Sequence, residues 1–128
     1  MKQKAQVILN ALECPDGELS ILIVDDSQIA VINQEYLKRS GPTNVIAFPM
    51  REGEYANITP TLLGDIVISA ETARYEGEIS EIGLDARFFQ LMIHGILHLF
   101  GYDHEKTDQE ALQMEEKSNG LFALIAEK

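Results

Sequence analysis

All three histidines of the chain fall within one stretch, His94-Gly95-Ile96-Leu97-His98-Leu99-Phe100-Gly101-Tyr102-Asp103-His104. The first two are four residues apart and the third lies six further on. On a helix, positions i and i+4 share one face, with Cβ atoms about 5–6 Å apart. Two imidazole nitrogens at that separation can converge on one metal ion, each at about 2.0–2.1 Å. His94 and His98 therefore read as a ligand pair. Gly101 ends the helix and turns the chain, and His104 folds back as the third ligand. Three neutral ligands leave a tetrahedral ion with an open position, which catalytic zinc sites keep for water and structural sites fill with protein. The expected cofactor is one Zn²⁺ per chain, although three imidazoles also suit Ni²⁺ or Cu²⁺. Asp103, next to His104, is a candidate to accept the second ring N–H of a ligand histidine and so orient it. Two other uses of these residues stay open: ordinary packed histidines, and a closed structural site with Asp103 or Cys14 as fourth ligand.

The offsets of His94, His98, Gly101 and His104 are those of the metzincin proteases, H-E-x-x-H-x-x-G-x-x-H. Here Gly95 replaces the glutamate that serves those enzymes as general base, and the methionine turn is missing, since Met114 lies in a helix-like stretch. The metal geometry is shared and the peptidase chemistry is not expected. A peptidase-like hydrolase with a base from elsewhere is kept as an alternative.

The elements that must hold these residues follow from periodicity. Leu84 to Phe100 is apolar nearly all round and free of proline, which predicts a buried central helix carrying His94 and His98. Ala5 to Leu12 reads as a strand, and Cys14 to Glu18 as a turn with Pro15, Asp16 and Gly17 in turn order. Leu19 to Val24 is a β-branched apolar run. Asp25, Asp26 and Ser27 are N-cap candidates for an amphipathic helix over Ser27–Arg39, stopped by Ser40-Gly41-Pro42. Asn44 to Phe48 reads as an edge strand ended by Pro49. Met50 to Thr61 is a polar loop of about a dozen residues, long enough to serve a site by covering it.

Leu63 to Ser69 is a strand interrupted by Gly64-Asp65, with Gly64 marking a bulge or a close approach. Asp65, flanked by apolar residues, is a candidate catalytic carboxylate or a structural hydrogen-bonding group. Ala70 to Glu76 is a helix that Gly77 ends. Thr107-Asp108-Gln109-Glu110 is a capping box opening the last helix, with Ala111, Met114, Ser118, Leu121, Phe122 and Ile125 on its inner face and Gly120 weakening it. The order predicts one α+β domain over residues 1–128, a mixed four-stranded sheet packed against helices.

At 128 residues and 45% hydrophobic content, one domain can bury a proper core unaided. A single cysteine excludes an internal disulfide, and no long apolar run reads as a membrane span. With no signal peptide evident, the expected setting is the reducing cytoplasm. The formal net charge of −11 argues against a broad nucleic-acid surface, because phosphate contacts need clustered Lys and Arg. A bound cation would offset this locally, and Lys38, Arg39 and Arg51 can form a small basic rim.

Three stretches resemble one family. His94 to His104 matches H-G-x-L-H-L-x-G-Y-D-H, the hallmark of the YbeY family of bacterial endoribonucleases. Pro42-Thr43-Asn44-Val45-Ile46-Ala47-Phe48-Pro49 is similar to its P-T-(D/N)-V-L-S-F-P, with Ala47 where serine is usual. Leu62 to Ile68 is similar to its L-L-G-D-(I/L)-V-I. The likeness runs from about Ile21 to Leu124. Leu37 stands where many members carry an arginine thought to hold phosphate, and Arg39 or Lys38 is near enough to replace it. The resemblance implies metal-dependent hydrolysis of single-stranded RNA, in 3′-end maturation of small-subunit ribosomal RNA and in ribosome quality control. It implies the small ribosomal subunit as a partner and a metal cleft at one end of the central helix. In that scheme Arg39 or a partner neutralises phosphate charge, and the metal hydroxide acts with no protein base or with a base from elsewhere, for which Asp65 is a candidate. A non-enzymatic ribosome-assembly factor with a structural metal is the other alternative.

Overall fold

A computed structural model describes residues 2–50, 62–102 and 107–126. The elements run α1 (Lys2–Ala11), β1 (Glu18–Val24), α2 (Asp26–Leu37), β2 (Val45–Pro49), β3 (Leu62–Ser69), α3 (Ala70–Ile79), α4 (Gly83–Leu99) and α5 (Asp108–Ala126). The sheet order is β1-β3-β2, with β1 parallel and β2 antiparallel to the central β3. The α+β class and the mixed sheet are as expected, and β2 is an edge strand. The expected fourth strand is absent among the described residues. Ala5 to Leu12 instead belongs to α1 and its C-terminal turn. Ala5, Ile8 and Leu9 are buried, and Leu12 packs against the same core. That spacing is the i, i+3, i+4, i+7 stripe of a helix, and burial of the stripe overrides the β-branched Val7-Ile8 pair. The Lys4 ammonium donates to the Ile125 carbonyl at 2.7 Å, tying α1 to α5.

Strand alternation sorts the side chains into two layers. Val45 and Ala47 on β2, with Ile66 and Ile68 on β3, face the main core with α1, α4 and α5. Ile46 and Phe48, with Val67, face Ile29 of α2. So α4 covers one side of the sheet and α2 the other. Gly64 answers both expectations for it. The β1–β3 register slips as Glu18 pairs with Leu62 and Leu19 with Gly64, leaving Leu63 as the extra residue of a bulge. At φ +141°, a Cβ on Gly64 would lie 2.2 Å from the Phe48 carbonyl oxygen.

The helix ends are locally encoded. Asp25 and Gln28 form a reciprocal capping box at the start of α2. Ser69 caps α3, its hydroxyl accepting from the Thr72 N–H at 3.2 Å. Thr107 caps α5, accepting from the Glu110 N–H at 3.0 Å. Gly77 does not end α3, which runs on to Ile79. It is buried where α3 meets the start of α4, and a Cβ there would lie 2.3 Å from the Gly83 carbonyl oxygen. No helix among the described residues is long and apolar enough to cross a membrane.

Candidate metal and substrate site

The site starts from the packing of α4. Leu91, Met92, Ile93, Ile96, Leu97 and Leu99 are buried, which leaves His94 and His98 half-buried on the remaining stripe. The two rings meet edge to face at 75°, with centroids 4.5 Å apart. Their Nε2 atoms are 3.0 Å apart. Two ligands at about 2.0–2.1 Å on a tetrahedral ion have nitrogens about 3.3 Å apart, so the pair is close to ligating separation. Such convergence of two acceptor-capable nitrogens fits a shared cation.

Gly95 lies between them and points at the sheet. A Cβ there would be 2.8 Å from Cγ2 of Ile66. This is why the helix can lie so close to β3, and why the position of the metzincin glutamate holds no side chain. After Leu99 the chain closes a Schellman motif. The Tyr102 N–H donates to the Leu97 carbonyl and the Gly101 N–H to the His98 carbonyl, both at 3.0 Å, with Gly101 at φ +94°. The expected role of Gly101 as helix terminator is thereby seen. His104, Asp103 and residues 51–61, which were expected to form most of a loop, lie outside the described residues. Among the described residues no group of three His, Cys, Asp or Glu is placed to hold a metal ion.

The structure does not bring Asp65 to the histidine pair. Asp65 is exposed on β3 and accepts a hydrogen bond from the Ser20 hydroxyl across the parallel pair. Its neighbour Ile66 packs under Gly95, so by strand alternation Asp65 leaves the sheet on the face opposite α4. Arg39 is exposed just beyond α2, whose C-cap Lys38 adopts a left-handed conformation. Its backbone N–H donates to the Asn33 carbonyl at 3.3 Å. It follows a helix that also covers the face opposite α4.

Sequence reasoning missed a polar cleft of about 290 Å³ beside His94. Arg87, Gln90 and His94 of α4 line it, with Ser118, Asn119 and Phe122 of α5 opposite. Asn44, just before β2, also lines it. Arg87 is anchored: its Nε donates to Glu76 Oε1 and its Nη1 to Gln90 Oε1, each at 2.9 Å. Asn44 Nδ2 donates to the same Glu76 carboxylate at 3.3 Å. The available signal was the spacing of Arg87, Leu91, His94 and His98, which puts a charged residue on the histidine stripe of an otherwise apolar helix.

The fold and site define an α+β protein built round a buried helix with two convergent histidines. The solution structure of a Thermotoga maritima protein has this fold, with a TM-score of 0.71 and 27% identity over 97% of this chain and 77% of that one. The sequence model of the family described as Endoribonuclease YbeY matches residues 1–126. Proteins named Endoribonuclease YbeY from Syntrophotalea carbinolica and Geobacter metallireducens are 49% and 45% identical. Those alignments cover 100% and 98% of this chain and 86% and 84% of the relatives. The chain belongs to the YbeY endoribonuclease family.

Proposed function

We propose that the chain is a metal-dependent endoribonuclease that hydrolyses single-stranded RNA, with small-subunit ribosomal RNA as substrate and the small ribosomal subunit as partner. Family membership supports RNA as the substrate class. The metal dependence is carried by one observation, the 3.0 Å approach of the His94 and His98 Nε2 atoms on one helical face. His94 and His98 would hold the ion, with His104 as the third ligand on the segment that follows the Gly101 turn. A bound Zn²⁺ would supply Lewis acidity toward a phosphoryl oxygen and acidify a water molecule.

The chain's own residues set the rest. The buried flank of α4 keeps the two imidazoles from turning away, so their direction is preset. Gly95, pressed against Ile66, leaves no space for a carboxylate of the protease kind, which argues against the peptidase alternative. Asp65 is not assigned the base role, because it lies on the other face of the sheet. Arg39 is kept as a candidate to neutralise phosphate charge from the segment between α2 and β2. A ribosomal substrate would place this work in the cytoplasm.

The test is cleavage of an end-labelled single-stranded RNA by zinc-loaded protein, beside the His98→Ala variant and a chelated sample. Removing even an outer partner of a metal ligand costs about 10–100-fold, so loss of a ligand is expected to lower cleavage at least about 100-fold. Zinc binding measured by calorimetry should fall in the same variant. Cleavage and zinc affinity that both survive His98→Ala would sink the metal assignment.

A further inference from the structure

We propose that the cleft between α4, α5 and the start of β2 is a nucleobase-binding subsite. It holds the base of one RNA nucleotide beside the histidine pair and so sets the residue next to which the chain is cut. The inference rests on the nuclease reading above and adds a specificity element to it.

The first ground is position. His94 is both half of the ligand pair and part of the cleft wall. Arg87 and Gln90 sit one to two helical turns before it on the same side of α4. A nucleotide whose phosphate reaches the histidines can place its own base, or its neighbour's, in this cleft. The second ground is size. Ligand pockets start at about 300 Å³, so a cleft of about 290 Å³ has room for one base with its sugar and not for a longer segment.

The third ground is charge, which separates a base from a phosphate. Among the described residues Arg87 is the one cationic side chain lining the cleft, and Glu76 neutralises it at 2.9 Å. A phosphate placed at the Arg87 end, away from the histidine pair, would meet no net positive side-chain charge. Uncharged hydrogen-bonding groups and a ring are what the walls offer instead. The Gln90 carbonyl is taken by Arg87, which fixes the amide and leaves its NH₂ to donate. Ser118 and Asn119 make no side-chain hydrogen bond to another described residue, so their donors and acceptors are available to a ligand. Phe122 adds an aromatic surface. Single-stranded RNA is read by this combination, with hydrogen bonds to base edges and stacking on aromatic rings. Sites that specify hydrogen bonds discriminate well, because the wrong partner leaves polar groups unpaired.

Two measurements keep this claim separate from the nuclease reading. In the first, adenosine, guanosine, cytidine and uridine are titrated into the full chain, and the NMR resonances of Gln90, Ser118 and Asn119 are followed. One nucleoside should shift them at lower concentration than the other three. In the second, a random-sequence single-stranded RNA is cut by zinc-loaded wild type, Gln90→Ala and Asn119→Ala, and the new ends are sequenced. Wild type should favour one base near the cut, and each variant should reduce that preference about ten-fold. Asn119 is exposed, so its variant tests the idea even if Gln90→Ala folds poorly. A preference unchanged in Asn119→Ala and in a folded Gln90→Ala, or cleft resonances indifferent to all four nucleosides, would overturn the subsite. If wild type cuts no RNA, the nuclease reading falls, and the nucleoside titration alone decides the cleft.

Discussion

Gly95 shows how much one residue decides here. It sits between two ligand-spaced histidines, and its missing side chain lets α4 rest on Ile66. A Cβ would come within 2.8 Å of the Ile66 Cγ2 methyl, which is itself fully buried and has nowhere to move. Overpacking of this kind costs about 1–3 kcal/mol. Gly95→Ala is therefore expected to lower the urea midpoint by a corresponding amount. Ile66→Ala in the same chain should cost less than it does alone, since each change relieves the other. Simple additivity of the two substitutions would show that the contact is not the cause.

Asp26 is a second residue with reach. Its carboxylate accepts from the Ser69 and Thr72 hydroxyls, each at 2.5 Å, while its N–H donates to Glu71 at 2.8 Å. The Ser69 hydroxyl first, and then that of Thr72, hold its pKa below the ordinary 3.8, with burial opposing them. A carboxylate with a lowered folded pKa stabilises the fold above its unfolded pKa and loses that contribution as pH falls through the folded value. Asp26→Asn should thus be less stable than wild type at pH 7 by urea unfolding. The gap should narrow progressively below about pH 3.8. A gap that stays constant down to pH 2 would rule out this linkage.

At the scale of elements, caps and glycines were legible where local chemistry dominates and misleading where packing does. The capping box of α2, the Thr107 cap of α5 and the Gly101 terminator depend on a few neighbouring residues, so they could be read along the chain. Gly77 looked like a terminator because glycine often is one. The close approach of α3 to Gly83 is what requires it, and no local pattern reports that distance. The strand expected at Ala5 to Leu12 failed for a similar reason: the stripe of Ala5, Ile8, Leu9 and Leu12 needs α4 and α5 to bury it. Gly120 gives an element-scale prediction. It lies inside α5 with nothing within 4 Å of where a Cβ would be. Gly120→Ala should raise stability by about 0.5–1 kcal/mol, seen as a higher melting temperature by circular dichroism. A lower melting temperature would mean that the open space is needed.

For the whole molecule, charge is the constraint that stands out. Twenty-one acidic against ten basic residues give a net −11. An enzyme of this charge engages few phosphates through side chains. If Lys38, Arg39 and Arg51 are the contacts, about three counterions are displaced, and log kcat/KM should fall with log salt with a slope of about −2. A much steeper slope in single-stranded RNA cleavage would require a cationic surface that this composition does not supply. The sheet supports the same economy. It places α4 with the histidines and the polar cleft on one side, and α2 with Asp65 on the other.

The sequence by itself determined the paired histidines, their helix and the turn after it, because i and i+4 spacing and a glycine of positive φ are properties of the local chain. It also pointed to the family, through three motifs in fixed order. Only the tertiary structure decided the rest. Asp65 went to the far face because a strand sends neighbouring side chains to opposite sides, and which side faces α4 is set by packing. The cleft was invisible along the chain because Asn44, Arg87 and Asn119 come from separate elements. They meet only when α4 and α5 close over the start of β2, and burial of apolar surface, which has no sequence range, drives that closure.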